Sequence, residues 1–173
     1  MLTGCSDHER NLNRVMELRD TILNSQQCNF TADITADYGK TTYTFKMDCQ
    51  TDSTGDMDFK VTYPDSIEGI TGQVVNDKAG ITFDEHILAF ESLADGQITP
   101  VTAPWLMMKA LRSGYIRSCT DDEQCLVIID DSYETNAIAI RILMDVSFKP
   151  KAAEIIWNDQ RIMLLEISNF SYM

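Results

Sequence analysis

The sequence predicts an α+β fold made mostly of antiparallel β-structure, in which about ten strands form one long curved sheet wrapped on two helices. Three observations predict it. Apolar residues near the N-terminus follow helical spacing, a long series of segments alternates apolar with polar residues, and a short helical segment lies in mid-chain between proline and glycine. With 173 residues the chain fits a single domain.

The charge balance is strongly acidic and excludes several classes of partner. The chain has 14 Lys and Arg against 27 Asp and Glu, which gives a net charge of −13. Such a surface repels phosphate backbones and anionic headgroups, so no nucleic-acid partner is expected. No segment approaches the ~20 consecutive apolar residues of a spanning helix.

The first residues match the lipobox of bacterial lipoproteins, since Leu2-Thr3-Gly4 precedes Cys5. Small residues fit the modifying and cleaving enzymes, and the Cys5 thiolate is the nucleophile that accepts the lipid. The signal-peptide regions that normally precede a lipobox do not appear in this sequence. We expect residues 1–7 to be lipobox and tether, with Cys5 anchoring the protein at the extracytoplasmic face of the cell membrane. The alternative is an exposed cysteine in a flexible tail.

An amphipathic helix is predicted from a capping box, with Ser6 as N-cap and Glu9 three residues later, to about Gln26. It either acts as a lid near the membrane or simply packs on the sheet. Residues 8–173 are expected to form one domain. The positions that share one face are Leu12, Val15, Met16, Arg19, Ile22 and Leu23.

From Cys28 onward the period changes to two, in three successive segments. Strands with one apolar and one polar face are typical of an antiparallel sheet covered on one side. Short turns at 38–40 and 50–55 indicate a meander of hairpins. The apolar positions are Phe30, Ala32, Ile34, Ala36 and Tyr38, then Tyr43, Phe45, Met47 and Cys49, then Met57, Phe59, Val61 and Tyr63.

Pro64 ends the third strand, and shorter strands are predicted after it. A second helix begins at Thr102 or Ala103, has Pro104 where proline fits in the first turn, and stops at Gly114. The predicted strands are 67–76, 80–84 and 87–91 before this helix, and 115–119, 125–130, 137–145, 152–157 and 160–170 after it.

Four cysteines remain once Cys5 is assigned to lipid. A turn centred on Tyr38-Gly39 places Cys28 opposite Cys49, and a turn centred on Asp122 places Cys119 opposite Cys125. Because cross-strand neighbours have the spacing that a disulfide needs, we expect the bridges Cys28–Cys49 and Cys119–Cys125 and an oxidising compartment. The alternative is four buried thiols that behave as small apolar residues.

No catalytic or metal-ligating constellation is apparent. The two histidines, His8 and His86, lie in a helix start and a tight turn, and no nucleophile elbow, phosphate loop, HExxH or Cys/His cluster occurs. We therefore expect no enzyme activity, no cofactor and no metal.

Several segments resemble the LolA/LolB-like (outer-membrane lipoprotein carrier-like) superfamily, in particular its Gram-positive, clostridial lipoproteins, some of which are linked to sporulation and germination. The resemblance rests on the lipobox, the N-terminal helix, the one-sided strands, and the segments 99–105, 110–116 and 154–157. It implies an unclosed half-barrel whose concave face is covered by the helices and, in carrier members, takes acyl chains.

The resemblance also implies a site and a function. The chain would be a non-enzymatic lipoprotein that binds a lipid or other apolar ligand in the half-barrel, and a filled core is the alternative for the same residues. A second hypothesis is a protein-binding adaptor that regulates an envelope or cell-wall (sporulation or germination) enzyme. A free shuttle conflicts with the anchor at Cys5. The implied cavity wall is Phe30, Ile34, Phe45, Met47, Phe59, Val61, Trp105 and Met108.

Overall fold

The computed structural model describes the backbone of residues 6–75, 78–83, 86–91, 93–94, 97–120, 125–130 and 138–173. Side chains are described for all of these except 6–9 and 82–98. The helices are α1 (Ser6–Asn24) and α2 (Ala103–Ser113), with single 3₁₀ turns η1 (Asp65–Ile67) and η2 (Pro100–Thr102). The strands are β1 (Gln27–Asp37), β2 (Thr42–Asp52), β3 (Met57–Tyr63), β4 (Thr71–Val75), β5 (Lys78–Phe83), β6 (His86–Glu91), β7 (Leu93–Ala94), β8 (Gln97–Ile98), β9 (Tyr115–Cys119), β10 (Leu126–Asp130), β11 (Ala139–Met144), β12 (Pro150–Trp157) and β13 (Gln160–Tyr172).

Eleven strands form one open antiparallel sheet in the order β6-β5-β4-β3-β2-β1-β13-β12-β11-β10-β9. Strands β1 and β13 pair in the middle, and β6 and β9 are the two edges. The predicted α+β fold, an unclosed sheet with two helices, is confirmed. Strands β7 and β8 form a separate two-stranded sheet between β6 and η2. Among the described residues, no helix is long and apolar enough to cross a membrane.

The apolar residues of the alternating segments form the inner face of the sheet. Every second residue of β1 is buried, from Cys28 through Ile34 to Ala36, and β2 and β3 repeat the pattern. Helix α2 lies against this face, and most of its side chains are buried, including Met107 and Met108. The large methionine side chains therefore fill the centre of the concave face.

Helix α1 packs across one end of the sheet, so it is not a detached lid. Asn11 Nδ2 donates to the Thr120 carbonyl after β9 at 2.8 Å, and the Arg14 guanidinium lies 4.1 Å from the centre of the Phe148 ring, between β11 and β12. The chain then continues to Gln26, whose N–H donates to the Met173 carbonyl at 2.7 Å. We refer to this end as the α1 end. The helix begins at Ser6, inside the segment predicted as tether, and ends at Asn24, two residues early.

The opposite end of the sheet carries the turns at 38–41, 64–70 and 158–159. The register shows this, because the strands that end at Asp37, Tyr63 and Trp157 all end on the same side of the sheet. We refer to this as the open end. The α1 contacts given above lie at the other end, so the two ends of the curved sheet are covered differently.

Arg19 joins the two helices. Its Nε donates to the Leu111 carbonyl at 2.6 Å, and its Nη2 donates to the carbonyls of Gly114 at 2.8 Å and Ala110 at 3.2 Å. Carbonyls at the end of a helix lack N–H donors from a following turn and carry partial negative charge, and here the Ala110 carbonyl also accepts from the Gly114 N–H at 2.8 Å. Burial lowers the pKa of the Arg19 guanidinium from its usual value, but the side chain is still a cation at neutral pH.

Replacing Arg19 with Met should remove these hydrogen bonds while keeping the apolar stem. We expect the free energy of unfolding to fall by about 2–3 kcal/mol, since a hydrogen bond to a charged group is worth ~1.5–3 kcal/mol and half-buried carbonyls lose their donor. Urea denaturation followed by circular dichroism measures the loss. Arg10→Met is the matched control, because Arg10 is exposed on the same helix, and it should change stability by less than about 0.5 kcal/mol. Equal losses in both variants would contradict the role of Arg19.

Gly72 in β4 makes room for an aromatic ring. A Cβ atom at this position would lie 2.4 Å from Phe59 Cζ and 2.5 Å from the Gly80 carbonyl oxygen. The first contact is with a side chain that packs in the core, and the second is with backbone, so neither neighbour can yield cheaply.

Gly72→Ala should therefore lower the free energy of unfolding by about 1–3 kcal/mol, the usual cost of overpacking a core. The thermal unfolding midpoint measures it against Gln73→Ala, a control at the adjacent exposed position of the same strand. A Gly72→Ala protein as stable as the control would show that the Phe59 ring has another place to go.

Candidate functional site

A cavity of about 600 Å³ lies at the open end of the sheet, between strands β2, β3 and β5, the turn after β1, and η2. Its volume falls within the ~300–1,000 Å³ of small-ligand pockets. Two lining residues, Tyr43 and Ile67, are 52% and 38% exposed, so the cavity has a solvent-exposed rim. The described lining is Tyr38, Lys40, Thr41, Tyr43, Phe45, Phe59, Val61, Ile67, Ile70, Ile81, Thr99, Pro100 and Val101.

The floor of the cavity belongs to the core. Phe45, Phe59 and Val61 are 7%, 4% and 3% exposed and point inward from β2 and β3 because they occupy the apolar positions of the alternation. Their backbones belong to the sheet ladder, in which Phe59 pairs with strands on both sides and Phe45 and Val61 each pair with a strand on one side.

The rim is formed by turns and by two tyrosines. The Tyr38 and Tyr43 rings meet edge to face with centroids 6.3 Å apart. Burial, together with the nearby Tyr43, raises the pKa of Tyr38 to about 12, so its hydroxyl stays protonated at neutral pH. Such a side chain presents an apolar ring and a polar tip, which suits the boundary between a cavity and water.

The charge of the lining differs from that of the whole chain. Lys40 is the one charged residue among the described lining residues, although the chain has 27 acidic residues and a net charge of −13. The described wall is therefore apolar with a single cation in the exposed turn between β1 and β2.

The structure brings three of the eight predicted cavity residues to this site, namely Phe45, Phe59 and Val61. Ile34, Met47 and Met108 are at most 1% exposed and lie in the hydrophobic core, outside this cavity lining. Trp105 packs at the α1 end, where its Nε1 donates to the Gly55 carbonyl at 3.0 Å. Phe30 is also buried and borders a polar groove lined by Asn29, Thr31, Asp48, Gln50 and Lys60.

Sequence reasoning missed the rim. Ile67 and Ile70 were predicted in a strand but lie in and beside η1, and Pro100 and Val101 form η2 directly before the second helix. The signal available was apolar residues in turns, at Tyr38, Ile67 and Val101, where turns usually carry polar side chains.

The predicted alignment of Cys28 with Cys49 is wrong by two residues. The register pairs Cys28 with Thr51 and Cys49 with Phe30. The cause is the turn between β1 and β2, where Gly39 has a φ of +82° and Asp37 pairs with Thr42, which moves the centre of the hairpin by one residue.

The second pair of cysteines is also shifted in the ladder, because Cys119 pairs with Val127. Here, however, the two sulfur atoms lie 2.7 Å apart, and both side chains are buried. Cys125 precedes the first residue of β10, so the ladder spacing does not set the distance between the sulfurs.

Cys5 and the side chains of His8 and His86 lie outside the described part of the chain. Among the side chains that are described, no three His, Cys, Asp or Glu residues are grouped as metal ligands.

No protein-family model and no curated protein matches the chain. Several solved structures resemble it. A LolA superfamily protein from Nitrosomonas europaea has 8% identity and a TM-score of 0.48, over 94% of this chain and 93% of the other. The Mycobacterium tuberculosis lipoprotein LppX has 13% identity and a TM-score of 0.42, over 92% and 96%.

A third similar structure is that of the CwlD amidase from Clostridioides difficile in complex with the GerS lipoprotein, with 10% identity and a TM-score of 0.44 over the full length of both chains. The solved structures that resemble this chain thus include LolA-superfamily proteins and lipoproteins. At these identities and scores, the function has to be argued from the residues of the chain itself.

Proposed function

We propose that this protein binds the acyl chain of a lipid in the cavity at the open end, and that a lipid on Cys5 holds it at the extracytoplasmic face of the membrane. The observation that carries the proposal is the cavity of about 600 Å³ between the sheet and η2, lined mostly by apolar side chains. No step of chemistry is assigned to the protein, which acts by binding alone.

The physical driving force is the removal of methylene groups from water. Each buried CH₂ of an acyl chain contributes about 0.8 kcal/mol, so a segment of moderate length offsets the cost of losing its freedom. Phe45, Phe59 and Val61 offer a preformed apolar floor, and Tyr43 and Ile67 lie where the chain would enter. Lys40 beside them suits a ligand with an acidic or polar head outside the cavity.

The position of α1 would separate the lipid anchor at Cys5 from the opening of the cavity. The helix begins at Ser6, directly after Cys5, and Asn11 contacts Thr120 at the α1 end. The cavity lies at the opposite end of the sheet. An anchor at Cys5 would therefore leave the mouth unobstructed by the protein's own attachment point.

A second candidate function is the adaptor role, in which the protein binds and regulates an envelope enzyme. Strand β9 favours it, because β9 is the last strand of the sheet and pairs with β10 on one side, with no described strand on the other. An extended segment of a partner can add to such an edge through backbone hydrogen bonds.

A substitution that fills the cavity distinguishes lipid binding from the adaptor role. In Ile70→Trp a larger side chain would occupy the space beside Val61 without adding charge. We expect the affinity for palmitate, measured by displacement of a fluorescent anilinonaphthalene dye, to fall at least about tenfold, which corresponds to ~1.4 kcal/mol. Val146→Trp is the matched control, since Val146 is 82% exposed and does not line the cavity, and it should bind like the unmodified protein.

Lipid extraction and mass spectrometry of the purified protein complete the test. Acyl chains that co-purify with the control and are lost with Ile70→Trp support the lipid-binding function. Failure of both proteins to bind palmitate or to retain any acyl chain would contradict it and leave the adaptor role.

The anchor is tested separately. Cys5→Ser, expressed with a complete lipoprotein signal peptide, should move from the membrane fraction to the soluble fraction because no thiol remains to accept the lipid. Cys28→Ser in the same background is the control and should stay in the membrane. Membrane attachment of the Cys5→Ser protein, with no acyl group on the unmodified protein, would refute the anchor.

A further inference from the structure

Two cysteines meet at the α1 end of the sheet. Cys119 is the last residue of β9, and Cys125 immediately precedes β10. Their side chains are 4% and 1% exposed, and their Sγ atoms are 2.7 Å apart. This is shorter than the ~3.5–4.0 Å optimum between non-bonded carbon atoms, although sulfur is the larger atom. The two sulfurs are placed for a covalent bond.

The other two buried cysteines are arranged differently. Cys28 and Cys49 lie on adjacent strands and on the same face, but they are two positions apart in the register. Diagonal neighbours of this kind are separated by about 7–8 Å, more than a disulfide spans without movement of the backbone.

We infer that Cys119 and Cys125 form a disulfide, that Cys28 and Cys49 remain thiols, and that the bond fixes the docking point of α1. The bond forms by thiol–disulfide exchange with a small disulfide oxidant. One thiolate attacks the oxidant and releases one thiol, and the second cysteine then attacks the mixed disulfide and releases the other. Two protein thiols are oxidised while the oxidant is reduced to two thiols, with their protons transferred to the released thiolates.

The residue next to Cys119 carries the link to α1. The Thr120 carbonyl accepts a hydrogen bond from Asn11 Nδ2 at 2.8 Å, and Asn11 is only 4% exposed. Thr120 is also tied to Leu126 by two hydrogen bonds, one from its own N–H at 3.0 Å and one to its hydroxyl at 2.9 Å. Because β9 is an edge strand that pairs only with β10 among the described strands, a bond between Cys119 and Cys125 would hold the two strands together when the edge frays.

The first test maps the bond in the full chain after equilibration with oxidised and reduced glutathione. The protein is unfolded, alkylated and cut with a protease that cleaves after acidic residues, since Asp121, Asp122 and Glu123 separate the two cysteines. We expect the peptides of Cys119 and Cys125 to remain joined, and Cys28 and Cys49 to be alkylated. Alkylation of Cys119 and Cys125, or a joined Cys28–Cys49 pair, would overturn the inference.

The second test asks whether the bond supports α1. Reduction with dithiothreitol should raise the equilibrium constant of unfolding roughly fifty-fold, the loop-closure value for a ring of about seven residues. Hydrogen exchange at residues 11–19 should accelerate on reduction more than exchange in β12 and β13. In the Cys28→Ser/Cys49→Ser control the effect of dithiothreitol should persist, and in Cys119→Ser/Cys125→Ser it should vanish.

An effect of dithiothreitol that survives in Cys119→Ser/Cys125→Ser would overturn the link between this bond and α1. So would exchange in α1 that is the same in the oxidised and reduced protein. Both measurements are independent of ligand binding, so their failure would leave the proposed function of the cavity unaffected.

Discussion

The guanidinium of Arg19 donates to three backbone carbonyls at the end of α2 and so connects α1 with α2, two helices that are far apart in the sequence. Helix α2 has to lie inside the curve of the sheet to cover its apolar face, and α1 has to cross one end. A helix whose last carbonyls face a partly apolar interior needs donors from elsewhere. Arg19 supplies them from α1, and its contact with Gly114 also fixes the start of β9.

The packing of α2 decides how much of the concave face is solid. Met107, Met108 and Leu111 are at most 2% exposed and belong to the same hydrophobic core as Ile34 and Met47 of the sheet, which are completely buried. At the open end, η2 lies beside strands β2, β3 and β5, and α2 begins only after it, at Ala103. The cavity is therefore the part of the concave face that the helix leaves uncovered.

The sequence was sufficient for the fold because alternation fixes which face of a strand is buried. Phe30, Ile34, Phe45 and Met47 all point inward as the pattern predicted. Helix α2 was also recognisable, since Pro104 and Gly114 mark its two ends. These are local signals, and local signals are what a single sequence contains.

The cavity itself was not predictable in the same way. The sequence pattern of an inward apolar residue is the same whether it packs against another side chain or borders empty space. Met47 and Phe59 were therefore both predicted to line the cavity, although of the two only Phe59 does. The cysteine alignment failed for another reason. If the predicted centre of a hairpin turn is wrong by one residue, every predicted cross-strand pair is wrong by two. The turn between β1 and β2, in which Gly39 has a positive φ, is centred one residue later than predicted.

The crossing of α1 over one end of the sheet has a kinetic consequence. With α2 packed in the middle of the concave face and α1 beyond it, the cavity wall has exposed side chains at its rim, among them Tyr43 and Ile67. A ligand bound as proposed would enter and leave along this rim, so one molecule would have to depart before the next could bind. Its exchange rate would then be set by departure rather than by the concentration of the competitor.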